Sequence, residues 1–197
     1  MPNTPPRLVL ASTSRYRREL LERLGIPFVV EAPGVAEDAL PGEAPARQAA
    51  RLAQAKAAAV AARHPDALVI GSDQVAALGT EVLGKPGTPA RAVEQLLRAS
   101  GRQMEFLTAV TLIGPAAFHA AHTDVTRVTF RRLERAEVER YVERDTPLDC
   151  AGSFRAESLG IALFEALESR DPTALIGLPL VWLASALKSA GLDPLAR

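Results

Sequence analysis

Apolar positions along this chain follow two rhythms: short runs of strand length, and longer stretches where they recur every three or four residues. Leu8 to Ala11 is the first run. Arg15 to Leu24 follows with Leu20, Leu21 and Leu24 on one helical face and Gly25 as its stop. Phe28 to Glu31 reads as a second strand, and APGVAEDALPGEAP after it reads as a loop, given its proline and glycine. An alanine-rich helix spans about Pro45 to Arg63 and is ended by His64-Pro65. Ala67 to Val75, ALVIGSDQV, is a buried strand interrupted by polar residues. Thr88-Pro89 supplies the cap and first turn of a helix that ends at Ser100-Gly101. Phe106 to Ile113 and about Ala121 to Phe130 are β-rich runs that pair as a hairpin around Gly114-Pro115. Arg135 to Arg144 is short and amphipathic, Leu159 to Phe164 reads as a strand, and a last helix covers about Pro179 to Ala190. Strands alternating with helices, plus one hairpin, predict an α/β fold with a mixed sheet. No repeat or linker divides the chain, so residues 1–197 are read as a single domain.

Composition narrows the functional classes. The 197 residues and 48% apolar content suit one large domain or two small lobes with a real core. Lys plus Arg and Asp plus Glu balance at 23 each, so no global field draws nucleic acid or an anionic membrane. A polyanionic ligand must then be held by a local cluster. One cysteine, Cys150, excludes an intrachain disulfide and fits a reducing compartment. MPNTPPRLVL has no signal-peptide core, and no run approaches the ~20 apolar residues of a membrane span. A cytoplasmic location is expected.

The chemistry starts between residues 7 and 25. A strand there feeds Ser12, Thr13 and Ser14, then Arg15, Arg17 and Arg18, into a helix N-terminus. Unpaired N–H groups, the positive dipole end and guanidinium forks together suit an anion; an N-cap serine followed by solvated arginines reads the same way. Asp73 lies among apolar residues that predict burial, and a buried carboxylate needs a cation, hydrogen bonds or a raised pKa. Gly71 and Ser72 beside it leave room for a ligand to approach the backbone, and a strand-end aspartate capping a turn is the alternative. Glu37, in the loop after the second strand, is the natural second carboxylate for Mg²⁺ or Mn²⁺. Lys56 interrupts the alanine-rich helix and reads first as solvated, since lysine is so seldom buried. Lys85, in VLGKPGTP, fails the Walker spacing but is presented stiffly by Gly84 and Pro86. His119 and His122 form HxxH without a further ligand, so zinc is not expected. Cys150 has no histidine near it in sequence and makes a weak nucleophile.

Taken together in order, LVLASTSRYRRELLERLGIPF, APGVAE, RLAQAKA, IGSDQV, GKPGT, CAGSF and LFEALESRDPTALIGLPL resemble the Maf family of nucleotide pyrophosphatases over nearly the whole chain. Among its branches the chain looks most like the 7-methyl-GTP pyrophosphatases. The resemblance implies an elongated, twisted mixed sheet with flanking helices and two lobes around a central cleft, as in inosine triphosphate pyrophosphatases. It implies hydrolysis of a nucleoside triphosphate between the α and β phosphates, with a divalent cation as cofactor. It puts Asp73 in the role of proton acceptor for the attacking water, with Ser14, Arg17, Arg18, Lys56 and Lys85 around the phosphates. Glu37, with Asp73, falls near the metal. Tyr16, Gln74 and Glu157 match the base-selecting set. A cationic 7-methylguanine would gain from an aromatic face at Tyr16 and from the Glu157 carboxylate on its N–H edge, which would also repel a pyrimidine's carbonyls. A homodimer is a further family-level expectation.

The chain departs from the family pattern at four places. Arg15 stands where the family has proline, Tyr16 where the branch has tryptophan, Ala36 where a second acid is usual, and Ala156 and Ser158 flank Glu157 in place of serine and glycine. Two other readings compete: a dTTP/UTP pyrophosphatase of the sister branch, and a non-enzymatic nucleotide-binding regulator of cell division. Balanced charge and scattered aromatics argue against a nucleic-acid surface.

Overall fold

The computed structural model describes residues 6–196. Among them, an α/β structure is built on one seven-stranded mixed sheet. In chain order its elements are β1 (Arg7–Ala11), α1 (Arg15–Glu22), β2 (Phe28–Glu31), α2 (Pro45–Ala61), β3 (Ala67–Leu78), β4 (Glu81–Leu83), α3 (Pro89–Ala99), β5 (Gln103–Ile113), β6 (His119–Phe130), α4 (Arg135–Asp145), β7 (Phe164–Glu168) and α5 (Leu180–Ser189). The strands lie in the order β2-β1-β3-β5-β6-β7, with β4 attached to β3. β1 is parallel to β2 and β3, and the remaining pairs are antiparallel.

The long strands β3, β5 and β6 make the sheet elongated, and one of its faces carries two apolar clusters. At one end Leu68, Ile70, Val110 and Leu112 pack on Leu20 and Leu21 of α1 and Leu183 and Leu187 of α5. At the other end Ala76, Leu78, Met104 and Phe106 pack on Leu96 of α3 and Val138 of α4. Between the clusters the same strand positions turn polar, at Ser72, Gln74 and Thr108. Two lobes therefore share one sheet, joined at a polar waist.

The opposite face is covered by α2, whose Ala49 and Ala53 lie against Val75, Ala77, Leu107 and Ala109. Gly71 permits this close approach. A Cβ there would stand 2.3 Å from the Ala53 carbonyl oxygen and 2.5 Å from the Ala57 nitrogen. The space that the sequence reserves at Gly71 is filled by a helix, not by a ligand.

One local expectation gives way. Leu159–Leu163 is a helical turn, and the strand begins only at Phe164. Gly160 and Leu163 are its buried positions while Ile161 is exposed, a spacing of three that suits a helix and not alternation. The short strand β4 carries no pattern long enough to read. Among the described residues no helix is long and apolar enough to cross a membrane.

Candidate active site

β3 pairs with β1 as far as Gly71 and with β4 from Ala76 onward. Residues 72–75 thus have no strand on that side, and a cavity of about 600 Å³ opens against them. The turn from β1 into α1 forms one wall, β4 and Lys85 another, and the loops around Cys150–Glu157 and Ile176–Gly177 close over it.

The turn into α1 is held by its own hydroxyls. Ser14 caps the helix, its Oγ accepting from the Arg17 backbone N–H at 3.4 Å, while the Ser14 N–H donates to Ser12 Oγ at 3.1 Å. Arg17 turns inward and its Nε donates to the Gly177 carbonyl at 3.0 Å. Burial draws the Arg17 guanidinium below its ordinary pKa, and the charges of Asp73 and Glu37 act against that. Arg18 points the other way. It is exposed, lies 3.9 Å from Glu22 on its own helix, and does not line the cavity.

The centre of the cavity is an ion cluster. Lys56 Nζ donates to Asp73 Oδ1 at 2.7 Å and lies 2.6 Å from Glu37 Oε1. Lys56 is 4% exposed and Asp73 7%, so each charge compensates a partner that would be costly alone. The first reading of Lys56 as solvated is overturned. Leu52, Ala53, Lys56, Ala57 and Val60 are all buried on one face of α2, and that face meets β3. Desolvation pushes the Glu37 carboxyl up, but the Lys56 hydrogen bond and the charges of Lys56, Lys85 and Arg17 outweigh it, and its pKa ends below the ordinary value. Lys85 lines the cavity from the far wall and remains exposed.

Glu37 and Asp73 are also the oxygen donors that a small divalent cation takes when phosphates supply the rest, one or two carboxylates being usual. The donor set fits such an ion. Among the described residues no group of three or more His, Cys, Asp or Glu gathers anywhere. The HxxH pair is split: His119 pairs with Gln54 at 2.8 Å, and His122 stacks on Trp182 at 5.4 Å.

Tyr16, Gln74 and Glu157 all line the same cavity. Gln74 is locked by its amide nitrogen, which donates towards Thr108 Oγ1, the Ala174 carbonyl and the Leu175 carbonyl at 2.9–3.0 Å. The Tyr16 hydroxyl accepts from Arg15 at 2.7 Å, and the Arg15 guanidinium sits 4.7 Å from the ring centroid. One cation therefore already rests against this ring. Glu157 rides on a loop anchored by Ser158, whose hydroxyl donates to Asp145 at 2.7 Å, and by the Arg155 N–H, which donates to the Tyr141 hydroxyl at 3.0 Å. Cys150 lies 3.7 Å from the Tyr16 hydroxyl. Burial pushes its thiol up, which keeps it protonated and poorly nucleophilic. Gln48, Leu52 and Phe106 also line the cavity and were not singled out from the sequence. For Gln48 a signal existed: it stands two turns before Lys56 on the same helical face.

Residues 7–190 match the family described as Maf-like protein. The chain belongs to the Maf family. A Maf relative from Xanthomonas campestris pv. campestris (strain 8004), named 7-methyl-GTP pyrophosphatase, is 57% identical over 186 residues, covering 94% of this chain and 97% of its own length. One of the same name from Thiobacillus denitrificans is 55% identical over 196 residues, covering 99% and 98%. Among solved structures, the Staphylococcus aureus Ham1 protein superposes with a TM-score of 0.45 at 16% identity over 63% of this chain and 71% of that one. In this Maf chain, motifs far apart in sequence converge on one cavity, with Arg18 the member that faces away.

Proposed function

We propose that this chain is a nucleoside triphosphate pyrophosphatase that cleaves between the α and β phosphates, with 7-methyl-GTP as its preferred substrate. The observation that carries this reading is the buried Asp73–Lys56 pair, with Glu37 on its solvent side, facing a capped helix N-terminus across one cavity. The names of the relatives agree with it. A polyphosphate entering there meets Ser14, Arg17, Lys56 and Lys85, three of them cationic. A divalent cation held by Glu37 and Asp73 would neutralise phosphate charge.

Lys56 donates to Asp73 at Oδ1, which leaves the second carboxylate oxygen to take a proton from water. That water attacks the α-phosphorus in line. The bond from the α-phosphorus to the bridging oxygen breaks, and pyrophosphate leaves with the electron pair. Tyr16 and Glu157 select the base, the first by its ring and the second by accepting from the guanine N–H edge. A dTTP/UTP preference would set the Glu157 carboxylate against pyrimidine carbonyls. A purely regulatory nucleotide binder would have no use for a carboxylate oriented by a buried lysine at the phosphate site. A homodimer belongs to this reading through the family resemblance alone, and a cytoplasmic location through the single free cysteine, which fits a reducing compartment.

The test is a panel of nucleoside triphosphates with Mg²⁺ or Mn²⁺, assayed for pyrophosphate release. The expected result is turnover led by 7-methyl-GTP and abolished by chelation. Release of orthophosphate instead, or no turnover of any member, removes the proposal.

A further inference from the structure

Gln48 has no place in the mechanism above, yet it is a buried polar residue that lines the catalytic cavity. It is 7% exposed, and its amide oxygen is shut off from solvent with no hydrogen-bond partner among the described residues. Most buried polar side chains in native proteins are paired, so an orphan of this kind calls for a missing partner. Two helical turns separate Gln48 from Lys56, with Leu52 between them on the same face, which is about 12 Å along the axis of α2. The ion cluster therefore sits at one place on this face, and the free amide well beyond it.

The chemistry of the orphan atom narrows what fits. A carbonyl oxygen only accepts, so the ligand must bring a donor. An ionised polyphosphate has none. On a nucleotide the donors are the sugar hydroxyls and the base N–H groups, and the reading above already assigns the base edge to Glu157. A hydroxyl also donates and accepts, so it satisfies the amide whichever way its planar group is turned.

Building on the proposed pyrophosphatase reading, we infer that Gln48 is a specificity residue whose amide, on turning from its shut-off position towards the cavity it lines, hydrogen-bonds the ribose hydroxyls of the bound nucleotide. It gives the site a preference for ribonucleotides over their deoxy analogues. The separation from Lys56 leaves the ion cluster to the phosphates and Gln48 to a neutral part of the nucleotide.

The experiment compares 7-methyl-GTP with its 2′,3′-dideoxy analogue, in the native enzyme and in Gln48→Leu, by kcat/KM and by calorimetric titration of each nucleotide. Leucine is of similar size and removes the orphan acceptor, so the melting temperature should hold or rise; should that variant not fold, Gln48→Met serves in its place. The native enzyme is expected to favour the ribonucleotide about tenfold or more, and Gln48→Leu to lose that preference while handling the dideoxy analogue almost as before. Equal loss on both nucleotides, or loss on neither, overturns the role of Gln48. A native enzyme that turns over neither nucleotide refutes the pyrophosphatase reading instead. The affinity ratio from titration then still decides Gln48, since a ratio unchanged by the substitution counts against it.

Discussion

Replacing Gly71 with alanine would put a methyl group where α2 already stands. The new carbon would lie 2.3 Å from the Ala53 carbonyl oxygen, 2.5 Å from the Ala57 nitrogen and 2.8 Å from the Ala57 side chain. Two of these three atoms are helix backbone, so no side-chain rotation relieves the clash. Restoring ordinary contact near 3.4 Å requires α2 and β3 to part by roughly 1 Å, and overpacking of this kind costs about 1–3 kcal/mol. The same movement carries Lys56 away from Asp73, now 2.7 Å apart, beyond the range of a useful hydrogen bond. A displacement of that size in a catalytic array costs on the order of 10²-fold in rate. Gly71→Ala should therefore lower the urea unfolding midpoint and kcat/KM for pyrophosphate release together. Gly84→Ala is the control for stability, since a Cβ there meets nothing within 4 Å. Were Gly71→Ala as stable as the native chain and as active within twofold, the helix would not be what registers Lys56 on Asp73.

Other expectations are simpler. Asp73→Asn should cut kcat by about 10²–10⁴-fold while circular dichroism stays native; appreciable remaining turnover would remove it as the base. Glu157→Gln should shrink the ratio of kcat/KM for 7-methyl-GTP over dTTP by about tenfold or more, since a hydrogen bond to a charged acceptor is lost, and an unchanged ratio would free Glu157 of that role. Cys150→Ala should keep kcat within about twofold, its thiol being protonated at neutral pH; a large loss would reopen a role for sulfur. Because the Glu37 carboxyl is held below its ordinary pKa, its pairing contributes stability above about pH 4.5 and loses it as the pH falls through the lowered value. Melting temperature against pH should thus fall less steeply on the acid side for Glu37→Gln than for the native chain.

Much of the fold was legible because its signals are local. The pattern Leu20, Leu21, Leu24, Gly25 marks α1, Thr88-Pro89 opens α3, and Gly114-Pro115 turns the β5–β6 hairpin, whose Gly114 N–H donates to the Phe118 carbonyl at 2.9 Å. What escaped depends on partners distant in sequence. LGIAL has strand-like letters, but Gly160 tucks against the Arg155 backbone, where a Cβ would meet a carbonyl oxygen at 2.4 Å, and the segment coils there. Arg18 shares its basic run with Arg17, yet a helix turns successive residues about 100° apart. Only Arg17 could face Gly177, and that phase follows from where Leu20 and Leu21 are buried.

Lys56 and Asp73 show how residues that are each costly alone become intelligible as a pair. Frequency argued for a solvated lysine, but the phase of α2 does not. Leu52, Ala53, Ala57 and Val60 require one face of that helix to meet the sheet, and Lys56 lies within it. A lysine at that phase must find a counter-charge indoors or pull the helix away from β3. Asp73, two residues past the glycine that lets α2 in, supplies the charge from a strand buried for the same reason. The ion pair follows from two amphipathic patterns and one missing side chain. The open edge of β3 beside it, left between the end of β1 and the start of β4, turns a structural pairing into an accessible site.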